Sequence, residues 1–285
     1  MPTLKEIKGR IASVKSTLKI TSAMKLVSSA KLRKAQSAIE SMRPYEQQLQ
    51  RMLATVQGAA PFRTAARKTQ PEDEGAAPRR ALVAIASNSS LCGGFNANVI
   101  AKLRSLRQEG DIVYSIGRKM ADAMRKDGFP SPADYASLSD HPSYAGAAAL
   151  AERLIEDFEA GRISSVQLVY NHFVSTARQT PVAENFLPVT APAVQADENA
   201  LPEDVIIEPS DRELLEVLLP KTLKLKLYAA LLDSAAAEHA ARTVAMQAAT
   251  DNGNQLLDEL TLQYNKGRQQ KITNEILDLA GGQTA

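Results

Sequence analysis

Leu91-Cys92-Gly93-Gly94-Phe95-Asn96 is the stretch whose residue types and spacing come nearest to chemistry. It follows an apolar run with strand character and opens a helical stretch. A glycine turn at a helix N-terminus can cradle phosphate, because the first N–H groups of a helix are unpaired and its dipole favours an anion. The stretch lacks both G-x-G-x-x-G and the lysine of a P-loop. It therefore reads as a tight strand-to-helix turn in which glycine takes a positive φ. Cys92 sits where a helix start could activate a thiol. His141, His172 and His239 are too scattered to suggest a Cys–His–Asn set or a metal spacing such as H-E-x-x-H. Cys92 reads as a small buried residue, and His239, beside Ala240-Ala241, as a packed or solvated helix residue. No paired-carboxylate or Ser–His–Asp pattern is legible. The sequence thus leads us to expect no catalytic residue, no cofactor and no metal.

A second anomaly is charge. The first 34 residues hold Lys5, Lys8, Arg10, Lys15, Lys19, Lys25, Lys31, Arg33 and Lys34 against Glu6 alone. A solvated helix face normally mixes signs, so this run points to an acidic partner. Nucleic acid is one class, an acidic protein surface the other. Against nucleic acid stand the absence of interleaved aromatics and a whole-chain net charge of only +2.

The elements that carry these residues are unequal. From Asp211 to Leu279 there is no proline after Pro220, and apolar residues recur at helical spacing from Leu218 and Leu225 to Ile272, Ile276 and Leu279. That predicts one helix of about 100 Å. A second long helix runs from Thr3 to about Val56, with Thr3 and Glu6 in a capping-box pattern. Leu4, Ile7, Ile11, Val14 and Leu18 step by threes and fours, as a coiled-coil seam does. The seam is then expected to change face, since Ile20, Met24 and Val27 follow on another side, and Pro44 is expected to kink or loosen the helix. Between the long helices the pattern alternates. Strands are expected at 81–87, 112–116 and 165–171, with an antiparallel or edge strand at 182–188. Helices are expected at 96–109, 118–127 and 144–160, and loop at 130–142.

The fold class expected is α/β: a long antiparallel coiled coil of N- and C-terminal helices with a central Rossmann-like open α/β domain. The shaft would comprise 1–57 and 209–285, the α/β domain 78–190, and connecting segments 58–77 and 191–208. The longer C-terminal helix would then project alone beyond about Gly267. Hydrophobic content of 44 % with only 5 % aromatics and no Trp suits long helices better than a large core. A single cysteine excludes an internal disulfide and fits a reducing compartment. No apolar run of 18 residues and no apolar leader segment is legible, so any membrane link would pass through another protein.

Three motifs carry a family resemblance. HAARTVAMQAATDNGNQLLDELTLQYNKGRQQKITNEILDLAGG resembles the C-terminal signature of the gamma subunit of F-type ATP synthases. LKEIKGRIASVKSTLKITSAMKLVSSAKLRKAQ resembles the same family's N-terminus, and LCGGFNANV its mid-chain motif. One departure is Gly281-Gly282, where the family usually has Gly-Ala. The resemblance implies a bacterial central rotor stalk that performs no bond chemistry and binds no nucleotide at the glycine turn. It implies turning inside a hexamer of alpha and beta subunits, with epsilon and the membrane ring of c subunits bound below. It places the protein peripherally on the cytoplasmic face of the inner membrane, touching the membrane only through partners. By motif match, Met24, Lys25, Arg242, Gln255, Arg268, Gln269, Thr273 and Glu275 would contact the alpha/beta ring. On the residues alone, Arg242, Gln255, Arg268, Gln269 and Thr273 read as ordinary exposed helix positions, and Met24 equally as a core methionine. A basic coiled-coil nucleic-acid-binding protein, or an enzyme built on the α/β insert, are the alternatives.

Overall fold

Residues 3–59, 79–189, 208 and 210–281 are described by the computed structural model. The connecting segments expected at 58–77 and 191–208 lie almost wholly outside them. The elements are α1 (Leu4–Ala59), β1 (Arg79–Ile85), α2 (Phe95–Leu106), β2 (Ile112–Ile116), α3 (Arg118–Lys126), α4 (Ala136–Asp140), α5 (Tyr144–Glu159), β3 (Ile163–Phe173), β4 (Gln179–Leu187) and α6 (Asp211–Gly281). The chain divides into two units: Met1–Ser29 with Arg242–Ala285, and Ala30–Ala241.

The first unit consists of the start of α1 and the end of α6. α1 opens on the expected capping box. The Thr3 amide donates to Glu6 Oε2 at 2.8 Å, and the Glu6 amide donates to Thr3 Oγ1 at 3.3 Å. The two helices run antiparallel: Leu4 meets Gly267, Leu18 meets Gly253, and Thr21 meets Thr250. The inward positions of α1 are Leu4, Ile7, Ile11, Val14, Leu18, Thr21, Met24 with Lys25, and Ser28. The seam therefore does not change face after Leu18, contrary to expectation. It keeps its heptad and turns polar, with Thr21 and Ser28 buried, while Ile20, Leu26 and Val27 point outward at 60, 70 and 56 % exposure. Hydrophobicity and heptad part here because the seam itself becomes hydroxylic.

The second unit is built on a four-stranded sheet of order β2-β1-β3-β4. β1 pairs in parallel with β2 and β3, and β4 closes the edge antiparallel to β3. Strand β1 reads as a continuous apolar run because both its faces are covered. Ala81, Val83 and Ile85 face α5 (Ala147, Leu150, Leu154) and the Leu223–Leu231 part of α6, whereas Leu82 and Ala84 face α2 and α3 (Val99, Leu103, Met120, Met124). In this unit α1 packs on α6 twice, through Leu32 and Ala35 on Ala236 and Ala240, and through Leu49 and Leu53 on Leu215, Leu218 and Leu225.

Two expectations are corrected here, on the loop and on β3, and α1 is continuous as expected. The stretch 130–142 is not all loop, since α4 forms within it and anchors through Leu138 and through the Ser139 hydroxyl on Ala86 O at 2.8 Å. β3 extends to eleven residues, its far half held by the β4 hairpin. α1 runs unbroken through Pro44, which lies on the solvent side, while Met42, Leu49 and Leu53 hold the opposite face. One lost N–H bond is outweighed by packing on both flanks.

Tyr114 illustrates how the sheet tunes its own side chains. Its ring is buried, and its hydroxyl donates to Asp157 Oδ2 at 3.1 Å. Burial first, and then the Asp157 charge and hydrogen bond, push the phenol up to about 12. A group whose folded pKa is raised contributes stability that is full below its unfolded value, about 10 for tyrosine. That contribution is lost as pH rises through about 12. Tyr114→Phe is expected to remove one late phenolate step from an absorbance titration and to flatten the fall in stability over that window. A titration curve in which the late step survives the substitution would refute the assignment.

Candidate functional site

The glycine turn lies between β1 and α2, where a doubly wound sheet would bind a ligand. Gly93 takes φ 58° and Leu91 φ 66°, whereas Gly94 sits at φ −80° as the residue preceding α2. The expected positive φ therefore belongs to Gly93 and not to Gly94. Gly93→Ala is expected to cost about 1 kcal/mol and Gly94→Ala close to nothing. A Cβ at Gly94 meets only the Asn98 side chain, at 3.3 Å. Urea midpoints of the two variants would test this, and equal losses would refute it.

The polar groups around the turn are spent on one another. Asn96 Oδ1 accepts from the Ser87 amide at 3.0 Å, and Asn96 Nδ2 donates to Ser87 Oγ at 2.8 Å and Cys92 Sγ at 3.2 Å. Cys92 and Phe95 pack against Ala237 and Ala241 of α6, with Phe173 alongside. Helix α6 thus occupies the crevice beside the turn. At the start of α3, the Arg118 amide donates to Asn88 Oδ1 at 2.8 Å and the Lys119 amide to Ser87 O at 3.1 Å.

The histidines do not converge. His172 Nδ1 lies 2.6 Å from Asp233 Oδ2, and Asp233 Oδ1 also accepts the Phe173 amide at 3.0 Å. Burial raises the Asp233 pKa, and the His172 and Phe173 hydrogen bonds pull against it. The pair ties β3 to α6. No group of metal-ligating side chains occurs among the described residues.

The eight residues singled out as contacts all fall in the first unit, Met24, Lys25, Arg242 and Gln255 where the two helices are paired and Arg268, Gln269, Thr273 and Glu275 on α6 beyond Gly267. Met24 and Lys25 are half-buried. Arg242, expected as an exposed position, is buried at 7 % and engaged in a polar contact, because it stands on the inward stripe of α6. Gln255, Arg268, Gln269, Thr273 and Glu275 are exposed. Thr273 donates to Gln269 O at 3.0 Å, and Glu275 pairs with Lys271 at 3.6 Å. The structure does not gather them into a cluster; they are strung along one rod. Of the basic run, Lys5, Lys8, Arg10, Lys15, Lys19, Lys31, Arg33 and Lys34 are exposed. Sequence reasoning missed Ile20, Leu26 and Val27 as an outward apolar strip among these cations. Their spacing off the Leu4–Leu18 heptad was the signal that could have placed them outside.

On α6 the inward positions Met246, Thr250, Gly253, Leu257, Leu260, Tyr264 and Gly267 continue the heptad and then stop. Every residue from Lys271 to Leu277 is exposed. The result is a rod with an unpaired end and no assembled set of reacting groups among the described residues.

Comparison with known proteins decides what such a rod belongs to. The family described as ATP synthase matches residues 3–285. The ATP synthase gamma chain of Phocaeicola vulgatus is 49 % identical over 299 aligned positions that cover 100 % of both chains. The chain belongs to the ATP synthase gamma family. The ATP synthase gamma chain of Bacteroides thetaiotaomicron is 47 % identical, covering 99 % of each chain. Among solved structures, a chain of the Euglena gracilis mitochondrial ATP synthase (OSCP/F1/c-ring) aligns with a TM-score of 0.67 at 18 % identity, covering 99 % of this chain and 93 % of that one. A chain of the same organism's rotor structure gives 0.64 at 21 %, covering 94 % and 98 %. At those identities the structures speak for the fold alone. As a gamma-family chain, the protein is a central-stalk subunit of the rotary F-type ATP synthase. The nucleic-acid reading of the basic run finds no support. No helix among the described residues is long and apolar enough to cross a membrane.

Proposed function

We propose that this gamma-family chain turns inside a hexamer of alpha and beta subunits and performs no bond chemistry itself. Segments 1–57 and 209–285 form the shaft, and 78–190 the α/β domain, which with the lower shaft binds epsilon and docks on the c-ring. The membrane is reached only through those partners, on the cytoplasmic face of the inner membrane. The observation that carries this reading is the unpaired end of α6. Ile272, Ile276 and Leu277 stand exposed at 47, 60 and 63 % on a single helix. Apolar side chains exposed together on one helix end mark a surface that a partner covers, and a ring of partner subunits would do so.

Rotation would couple to chemistry through differential contact. Each orientation of the shaft presents a different face to each beta subunit, and a contact that differs between open and closed states shifts their populations. The exposed cations of α1 would meet an acidic beta surface. Gln255, Arg268, Gln269, Thr273 and Glu275 would meet the ring higher up, and Met24 with Lys25 would lie at the edge between seam and contact. Arg242, being buried, would act by setting the rod's surface.

Association with purified alpha and beta subunits tests the reading. Lys19→Glu with Lys31→Glu is expected to slow association at least tenfold at low ionic strength, an effect that salt shrinks as the Debye length falls to a few ångströms. Both side chains are exposed, so the fold is expected to be kept. Association with unchanged rate and unchanged salt dependence would remove the acidic-surface contact. Failure of the unaltered chain to associate at all would sink the rotor assignment in this form.

A further inference from the structure

We infer that the Leu18–Gly253 and Thr21–Thr250 contacts fix the axial register of the α1–α6 pair, and with it how far α6 extends beyond α1. An antiparallel seam with a plain heptad repeat has equivalent registers seven residues apart, each shifting one helix by about 10 Å along the other. Something on the seam must choose among them. Within the first unit three contacts obey one offset. A Cβ placed on Gly253 would lie 2.7 Å from Leu18 Cδ2, and one on Gly267 would lie 3.2 Å from Leu4 Cδ2. Each leucine thus fills the space that a side chain on α6 would take, and the two knobs are two heptads apart on both helices. Next to the first, Thr21 Oγ1 lies 2.9 Å from Thr250 Oγ1. The Thr250 hydroxyl donates to Met246 O at 2.8 Å, which leaves its oxygen free to accept from Thr21. Thr21 also lies 3.1 Å from Leu18 O and is buried.

A slip by one heptad in either direction breaks both leucine–glycine contacts together. In one direction Leu18 would meet Leu260 and Thr21 would meet Leu257. In the other, Leu18 would meet Met246 and Leu4 would meet Leu260, while Thr21 would again face a threonine, Thr243, so that the leucine–glycine contacts alone select against it. Either slip sets large against large where large now meets glycine. The first also turns the buried Thr21 hydroxyl toward an apolar side chain. A polar seam position that specifies register is the best-attested use of such residues. Here it also accounts for the seam turning hydroxylic after Leu18. The consequence for the rotor rests on the function proposed above, since the register sets the height at which the exposed α6 contacts stand. The register itself does not depend on that reading.

Disulfide trapping in the full-length chain, with Cys92→Ala as background, reads the register directly. Leu4→Cys with Gly267→Cys reports the native pairing. Leu4→Cys with Leu260→Cys, and Leu4→Cys with Asn274→Cys, report the two slips. With the rest of the seam intact, mild oxidation is expected to give the native disulfide at least tenfold over either slipped one. Adding Thr21→Leu, Gly253→Leu and Thr250→Leu is expected to lower that ratio at least fivefold, because a slipped pair gains what the native pair loses. Thr21→Val with Thr250→Val and Gly253→Ala is read by the same criterion if the larger set loses helical circular dichroism. A residue that merely stabilised the pair would lower all three yields together and leave the ratio unchanged. An unchanged ratio overturns the inference, whether or not the chain assembles with partners.

Discussion

Gly117→Ala is expected to destabilise the α/β unit by about 3 kcal/mol or more, a larger loss than at the other positive-φ glycines whose surroundings are described, Gly110 and Gly128. Two effects add at this position. Gly117 has φ +93° and ψ 140°, a region open essentially to glycine alone, where another residue costs about 1–3 kcal/mol. A Cβ there would also lie 2.1 Å from Ala86 O and 2.8 Å from Ala86 C, both rigid backbone. That carbonyl cannot move freely, because the Ser139 hydroxyl holds it at 2.8 Å and the Ala86 amide is bonded to Ile116 O at 2.9 Å. Gly110 and Gly128 separate the two effects. They have φ +90° and +86°, with nothing within 4 Å of an added Cβ. Gly110→Ala and Gly128→Ala should therefore show the conformational cost alone, about 1–2 kcal/mol. Urea unfolding followed by tyrosine fluorescence measures all three, since the chain has seven Tyr and no Trp. A Gly117→Ala midpoint no lower than that of the two controls would mean that the β1–α3 junction yields more easily than its hydrogen bonds suggest.

The same junction shows what the sequence could and could not tell. The apolar run at 81–87 is legible as a strand buried on both faces, because Leu82 and Val83 side by side leave no polar face. That Gly117 rather than Gly94 carries the greater constraint is not legible. The constraint comes from Ala86 O, about thirty residues away and on another element. The seam of α1 is legible through Leu18, where hydrophobicity and heptad coincide. Beyond that they part, and Thr21 and Ser28 stay inside while Ile20 and Val27 go out. Composition cannot reveal this, since only the facing Thr250 makes a threonine a good inward residue. Arg242 is the same lesson reversed. As a letter it reads as solvent-exposed, and as a position on the α6 stripe it is buried. The candidate contact surface is legible only as a string of motif matches. Its arrangement along one rod follows from the offset of two helices, which depends on both ends of the chain at once.

That offset leads to the second large effect. In the free chain, the amides of Ile272 to Leu277 are expected to exchange with protection below about tenfold. In complex with the alpha and beta subunits, they are expected to be protected at least a hundredfold. The last inward residue of α6 is Gly267, set against Leu4, the first residue of α1. Beyond it the helix has only its own support. Lys271 and Glu275 form an exposed i,i+4 pair at 3.6 Å, of a kind worth about 0.3–0.5 kcal/mol. Thr273 bonds back to Gln269 O, which adds little because that carbonyl already serves the helix. A terminal stretch of three or four turns with no packed face is marginal in water. Leu256 to Leu260 are the internal reference. They lie on the same helix and bear the inward Leu257 and Leu260, so their protection should be high in both states. Enclosure of Ile272, Ile276 and Leu277 by partner subunits would remove their apolar surface from water and hold the last turns, which local opening must then undo. Exchange that is equally slow at Leu257 and Ile276 in the free chain would mean that α6 finds a partner beyond Gly267 within its own molecule. Exchange at Ile276 that stays fast in a complex of verified stoichiometry would mean that the end of the rod stands clear of the ring. In that case the apolar end would no longer support the proposed enclosure.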